Sequence, residues 1–380
     1  MLTPVAINVT FDDEIFYLQR RGGISRYFVN LIRQFDDQSH LGVQTHLTTT
    51  RTGNESLLNT LPERNFKSDR NAPKDVQRLA SKNRTTSDAL RAWQSGIRNQ
   101  TGGRILHATY WAPRKSDLSK HRHLAVTVMD LIPELMGSAG FEGKHGNRQR
   151  LLERASIVFV ISESTKDLLQ DLFPSVRAPI VTTHLGVETK IFSPNKNEGK
   201  ASSFPYILFV GNRDGYKGFE IAVKSVSTLR RQGIDVGLIA VGSPPTLDEL
   251  NFIQTQIPNN RFEFQSANDS QLATLYRKAE LFIFPSDVEG FGLPTLEAMA
   301  SGCPTVLSNI PIFKEVAGDC ALYATAHDPE SFSAQMETIL NDGIIRQSLV
   351  SSGIDRARHF TWARTAELTA SGYRLAAQNE

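Results

Sequence analysis

Short apolar runs rich in β-branched and aromatic residues alternate with stretches of helical period along most of this 380-residue chain. That alternation predicts an α/β fold, with parallel sheets covered by helices on both faces. In the first half, Val5–Phe11, Val43–Thr48, Arg104–His107, His123–Met129 and Ile157–Ile161 read as strands, and Pro179–His184 reads as one more that closes the half. Helical spacing covers Ile24–Phe35 and Ser164–Phe173, the second with Ser162 or Ser164 as its N-cap. A polar stretch from Ser193 to Ser203, with Pro and Gly, then interrupts the pattern and reads as an interdomain linker. Beyond it the alternation restarts. Tyr206–Val210, Val236–Val241, Arg261–Phe264, Leu281–Phe284, Pro304–Leu307 and Ala321–Tyr323 read as strands, with helices between most of them.

Residues 51–104 break this rhythm, being poor in large apolar side chains and rich in Arg, Lys, Asn and Ser. Helical spacing there is weak, around Asp75–Ala80 and Ser87–Ile97. Two readings stand: a solvated insertion, or a basic flap that meets an anionic acceptor or makes a peripheral membrane contact. Composition narrows the class. Apolar content of 40% against 22% charged residues describes a globular protein, and the length calls for two domains. A formal charge of +2 gives no support for a nucleic-acid binder as a whole. There is no apolar run of membrane-spanning length, and Met1 to Thr10 does not resemble a secretory signal. Cys303 and Cys320 are the only cysteines, which suits a reducing cytoplasm, with the inner face of the membrane as the place of any peripheral contact.

The densest candidate chemistry lies in Glu289-Gly290-Phe291-Gly292-Leu293-Pro294-Thr295-Leu296-Glu297. Leu281–Pro285 ends a buried strand, and Pro294–Ala300 begins a helix that stops near Gly302. Between them a glycine turn feeds a helix N-terminus, whose backbone N–H groups suit an anion. Glu289 precedes the turn, and Glu297 reads as lying in the first helical turn, where the macrodipole favours a carboxylate. Either acid can accept hydrogen bonds from vicinal sugar hydroxyls. Equally, Glu297 could cap its helix and Glu289 could be a solvated loop residue.

A second constellation follows the first strand of the second half: Gly211-Asn212-Arg213-Asp214-Gly215-Tyr216-Lys217-Gly218-Phe219, with Lys217 opening a helix to Arg230. Arg213 and Lys217 fall beyond a strand's carboxyl end, where open α/β sheets bind ligands. Two cations there suit a diphosphate, although loop Lys and Arg are commonly just solvated. A third feature, Arg20-Arg21-Gly22-Gly23-Ile24-Ser25-Arg26-Tyr27, is a glycine turn opening a helix, without the Gly-x-Gly-x-x-Gly of dinucleotide sites. No metal-ligand spacing is visible, so no metal and no cofactor are expected, and Arg213 and Lys217 would neutralise a leaving group.

Taken together, the chain resembles the retaining glycosyltransferases of the GT-B fold that carry a Glu-x7-Glu motif, the glycosyl transferases group 1. The match is most specific from Phe284-Pro285-Ser286 through Glu289–Glu297 to Ala298-Met299-Ala300-Ser301-Gly302. The resemblance implies two Rossmann-like, doubly wound parallel-sheet domains facing across a cleft. Residues 1–192 would be the acceptor domain, 193–203 the linker, 204–361 the donor domain and 362–380 a helix returning to the first domain. It implies that Glu289 sits against the donor sugar and that Glu297 binds the ribose hydroxyls. The N–H groups of Phe291, Gly292 and Leu293 would contact sugar or phosphate, with Gly211 and Gly290 in the same loops. Arg213 and Lys217 match the diphosphate-binding pair, and Gly22 and Gly23 match the glycine loop of the acceptor domain. One departure stands out: Met129 occupies the place of an active-site histidine found in many relatives, while Asp130 beside it is retained. Methionine moves no proton, so Asp130 is the residue left to orient an acceptor hydroxyl or to act structurally.

The function so implied is transfer of a hexose-type sugar from a nucleotide-sugar donor to a glycan or glycolipid acceptor, with retention and without metal. A sugar phosphorylase or nucleotide-sugar epimerase on the same fold, and a non-catalytic sugar- or nucleotide-binding relative, are the alternatives.

Overall fold

The computed structural model describes residues 6–20, 22–48, 51–64, 67–68, 104–111, 113, 115–137, 148–195, 201–213, 215–258 and 261–378. Its strands are β1 (Ile7–Phe11), β2 (Val43–Leu47), β3 (Arg51–Thr52), β4 (Lys67–Ser68), β5 (Ile105–Ala108), β6 (His123–Val128), β7 (Ile157–Val160) and β8 (Ile180–Thr182). They continue as β9 (Tyr206–Val210), β10 (Gly237–Val241), β11 (Phe262–Gln265), β12 (Leu281–Phe284), β13 (Thr305–Ser308) and β14 (Leu322–Ala324). Two six-stranded sheets result, ordered β2-β1-β5-β6-β7-β8 and β11-β10-β9-β12-β13-β14, and every pairing in them is parallel.

Burial follows position in the sheet. The inner strands β9, β10, β12 and β13 are buried throughout, while the outer β11 is half-buried along its length. Helices on both faces leave an inner strand no wet side, which is why Tyr206–Val210 and Leu281–Phe284 read as unbroken apolar runs. Each such side chain contributes roughly 1.5–3 kcal/mol on burial.

The chain forms two compact units: residues 1–161, 165–184 and 362–380 in one, and 162–164 with 185–361 in the other. The division therefore falls at Leu185, ahead of the boundary expected at 192. Residues 185–193 belong with the second unit because they are tied to it. Val187 N–H donates to the Phe360 carbonyl at 3.1 Å, and Phe192 packs edge-on against Tyr276. Arg277 Nη1 donates to the carbonyls of Ile191 and Ser193 at 3.2 and 3.1 Å. Of the expected linker, residues 196–200 lie outside the described part.

The segment read as an insertion also begins differently. Its first residues are docked rather than solvated: helix Glu55–Thr60 packs on helix Gly23–Asp37, with Leu57 and Leu61 buried. Asn54 caps the short helix through the N–H of Leu57 at 2.8 Å and holds the Gln19 carbonyl with its Nδ2 at 2.6 Å. The helices read at 75–80 and 87–97 lie outside the described residues.

The last helix, Trp362–Gln378, closes the first unit. Thr365 Oγ1 donates to the His184 carbonyl at 2.6 Å, and Arg374 Nη2 to the Leu41 carbonyl at 2.6 Å. At its centre Tyr373 OH meets His107 Nδ1 at 2.6 Å, and His107 Nε2 meets Thr127 Oγ1 at 2.8 Å. Burial among Phe11, Phe28, Phe159 and Tyr373 pushes His107 down to about 3. Unfolded, the same imidazole titrates near 6.5. Its contribution to stability is therefore complete above about pH 6.5 and declines as pH falls toward 3, because only the unfolded chain gains the proton. Tyr373→Phe should leave one imidazole nitrogen unpaired and cost about 1–3 kcal/mol. Chemical denaturation at neutral pH measures that loss, and a pH series for the wild type measures the decline.

Candidate functional site

In the second sheet, β9, β10 and β11 step outward in one direction, and β12, β13 and β14 step in the other. The neighbours β9 and β12 thus form the switch point, where successive helices leave for opposite faces and a ligand can enter beyond the strand ends. Both sequence motifs of the second half lie in the two loops at this point.

The loops are locked side by side. Asp287 N–H donates to the Tyr216 carbonyl at 2.8 Å. Gly218 has a left-handed φ of 66° and starts helix Phe219–Arg231, and a Cβ there would lie 2.1 Å from the Pro285 carbonyl oxygen. Gly292, at φ 83°, starts helix Leu293–Ala300, and its missing Cβ leaves room for the Phe313 ring. Across the paired loops Lys217 Nζ meets Glu289 Oε1 at 2.5 Å, with the two side chains 16% and 9% exposed. Residues from two separate motifs are thereby one ion pair.

Glu297 corrects its sequence reading. It is the fifth residue of Leu293–Ala300, beyond the first turn, and Gly292 rather than a carboxylate occupies the N-cap. Its side chain is 3% exposed, and Tyr276 OH donates to Oε2 at 3.5 Å. Phe291 is a core residue whose ring packs edge-on against Phe360, which leaves its backbone as the part able to face a ligand. Gly290 is buried, whereas Leu293 is half-buried at the helix start.

Arg213 has a carboxylate partner of its own. Its Nε and Nη2 grip Glu249 at 2.7 and 3.3 Å, Nη2 also donates to the Pro244 carbonyl at 3.0 Å, and the guanidinium lies over Phe264 at 4.7 Å. It is turned toward β10 and β11, whereas Lys217 reaches to the loop after β12. The Arg213 guanidinium holds the Glu249 carboxyl below its ordinary range. Gly211 is committed as well, its N–H donating to Val241 in β10 at 3.0 Å.

Three contributors escaped the sequence reading. Glu249 is legible only as half of a capping box with Thr246. Asp287 lies 3.3 Å from His327 Nε2, and His327 is the one non-glycine residue with positive φ among the described residues, at 61°. Asp287 is raised by desolvation, an effect that His327 opposes.

In the first unit, the glycine pair does not leave an open helix end. Gln19 Oε1 accepts from Ser25 N–H at 3.1 Å and occupies the space that a Cβ on Gly22 would need. Gly23 has open space around it. Asp130, just past β6, accepts from Ile132 N–H at 3.3 Å through Oδ1. Its carbonyl receives Arg148 Nη1 at 3.4 Å, and the same Arg148 pairs with Glu134 at 2.6 Å and covers Trp111 at 3.9 Å. Asp12, at the β1 end beside β5, is buried and raised to about 6 by desolvation, with Thr109 hydrogen-bonded to it. No group of three or more His, Cys, Asp or Glu side chains among the described residues is placed to hold a metal ion.

Residues 190–356 match the family model of glycosyl transferases group 1. The second unit belongs to the glycosyl transferases group 1 family. A stretch of 107 residues is 39% identical to O-antigen chain mannosyltransferase B of Escherichia coli and spans 28% of each chain. D-inositol 3-phosphate glycosyltransferase of Corynebacterium glutamicum is 28% identical over 61% of this chain and 60% of its own length. The match therefore spans less than two thirds of either relative. Among solved structures, sucrose-phosphate synthase from Thermosynechococcus elongatus superposes with a TM-score of 0.71 at 19% identity, over 97% of this chain and 98% of that one. Anabaena HepE in complex with UDP and glucose gives 0.70 at 15% identity, over 97% and 99%. The two parallel sheets are those of the GT-B architecture.

Within this glycosyl transferases group 1 unit, Gly218 is the tightest point of the site. A methyl group there meets backbone and not a movable side chain, at a φ that L-residues rarely adopt. Gly218→Ala should separate the loops after β9 and β12 and lower stability by about 1–3 kcal/mol. A thermal melt checks the stability loss. A crystal structure of the variant, with the Asp287 N–H moved out of hydrogen-bonding range of the Tyr216 carbonyl, checks the loop coupling.

Proposed function

We propose that this protein transfers a hexose-type sugar from a nucleoside diphosphate to a hydroxyl of a glycan or glycolipid, keeping the anomeric configuration and using no metal. The observation that carries this reading is the Lys217–Glu289 pair at the switch point, a cation for phosphate beside an acceptor for sugar hydroxyls. The relatives named for mannosyl and inositol phosphate glycosyl transfer support it, as does the HepE complex with UDP and glucose.

In the proposed reaction the bond from the anomeric carbon to the β-phosphate oxygen breaks on the face where the acceptor oxygen bonds. The departing diphosphate oxygen takes the acceptor proton. Lys217 neutralises the charge that grows on that oxygen, and the N–H groups at the start of Leu293–Ala300 add to it. Glu289 holds hydroxyls of the sugar, and Glu297 those of the ribose. Arg213 joins the phosphates by exchanging Glu249 for them, and Asp130 orients the acceptor. With the carboxylates binding and not attacking, positioning and electrostatics supply the rate. Assembly of a surface polysaccharide or glycolipid, on the cytoplasmic side of a membrane, is the setting we propose.

Acceptor-dependent release of nucleoside diphosphate, followed over a panel of nucleotide sugars, tests transfer directly. Glu289→Ala and Lys217→Ala should each lower turnover by about 10²–10³-fold, the scale of losing one group that stabilises transition-state charge. Full turnover in both variants would remove the site assignment. Treatment with a chelator should leave wild-type turnover unchanged, and restoration by added divalent cation after a loss would contradict the metal-free mechanism.

A further inference from the structure

Lys217 and Glu289 have no other hydrogen-bonding side-chain partner among the described residues, and their low exposure leaves their charges weakly screened. Whatever takes one of them from the pair must also satisfy the other, because an unpaired charge at a poorly hydrated position is costly. We propose that Glu289, through this ion pair, makes the site discriminate between the intact nucleotide sugar and the spent nucleoside diphosphate. The inference rests on the donor reading above and adds a property that reading does not contain.

In the unliganded site Lys217 and Glu289 neutralise one another, cation and carboxylate in contact. An intact nucleotide sugar can replace both halves of that contact. Its phosphates take Lys217, and its sugar hydroxyls donate to Glu289. A nucleoside diphosphate replaces only one half. It competes for Lys217 but brings no hydroxyl to Glu289, and its terminal phosphate carries an ionisable oxygen that is esterified in the donor. The carboxylate then faces a more negative ligand with no donor of its own, and like charges at this range disfavour one another. Sugar transfer therefore converts a ligand that satisfies Glu289 into one that Glu289 repels. The re-forming Lys217–Glu289 contact competes with the diphosphate for the same ammonium and favours its departure. Catalytic contact and product rejection reside in one carboxylate.

Glu289→Gln separates the two, because the amide keeps the shape and a hydrogen-bonding oxygen but loses the charge that claims Lys217. Isothermal titration with UDP, GDP and ADP, and with UDP-glucose, GDP-mannose and ADP-glucose, on wild type, Glu289→Gln and Lys217→Met would read the effect. For whichever base binds, Glu289→Gln should tighten the nucleoside diphosphate by about tenfold and the matching nucleotide sugar not at all. Lys217→Met should weaken both ligands. Glu289→Asp, which keeps the charge and shortens the reach, should lie between wild type and Glu289→Gln, and it guards against misfolding of the amide variant. An unchanged ratio of the two affinities in Glu289→Gln and Glu289→Asp, or a shift toward the sugar-bearing ligand, would overturn the inference while leaving the donor reading intact. Failure of the wild type to bind any nucleotide sugar would instead remove the donor reading, and this inference with it.

Discussion

The close approach of the Gly218 backbone to the Pro285 carbonyl is the constraint on which the second unit's site depends. It joins the loop after β9 to the loop after β12, two segments about seventy residues apart in the chain. Parallel pairing of β9 with β12 brings the loop roots together, and the left-handed glycine lets their backbones touch. The Asp287–Tyr216 hydrogen bond and the Lys217–Glu289 pair both require that contact. A side chain at position 218 would separate a cation from the carboxylate it meets without altering either residue.

Charge in this region is balanced locally. Lys217 is answered by Glu289, and Arg213 by Glu249. Bare, poorly hydrated cations would be costly to maintain, and the carboxylates offset that cost. In the proposed function this arrangement links recognition to exchange, because a phosphate would compete with groups already in place. It also separates the roles of the two cations. Lys217 stands at the switch point, whereas Arg213 is held over Phe264 toward the outer half of the sheet.

The first unit relies on a different device. Its closing helix brings Tyr373 to His107 inside an aromatic cluster, and a neutral imidazole bridges Tyr373 to Thr127. Burying such a group is tolerable because both ring nitrogens are satisfied. The same logic explains Gln19, which supplies from the preceding loop the acceptor that the helix beginning at Gly23 lacks at its own N-cap.

Strand positions were legible because inner strands of a parallel sheet must be apolar on both faces, and Tyr206–Val210 and Leu281–Phe284 coincide with the runs read from the sequence. The Glu289–Glu297 motif was legible for a related reason, since the glycine turn and helix start are local features of the chain. Local signals misplaced Glu297 within its helix, because helix boundaries depend on the φ of Gly292 and not on residue type alone. Docking of 51–64 and of 185–193 also escaped, since each is held by contacts with residues distant in sequence. The partners of the charged residues were out of reach as well. That Lys217 meets Glu289, that Arg213 meets Glu249 and that Gln19 closes the turn at Gly22 are consequences of sheet order and loop approach. By itself the sequence determined which segments are sheet strands and where the glycine turns fall, because burial and backbone freedom are written in residue type. Only the tertiary structure decided which charge faces which, because pairing is a property of positions in space that no single stretch of chain contains.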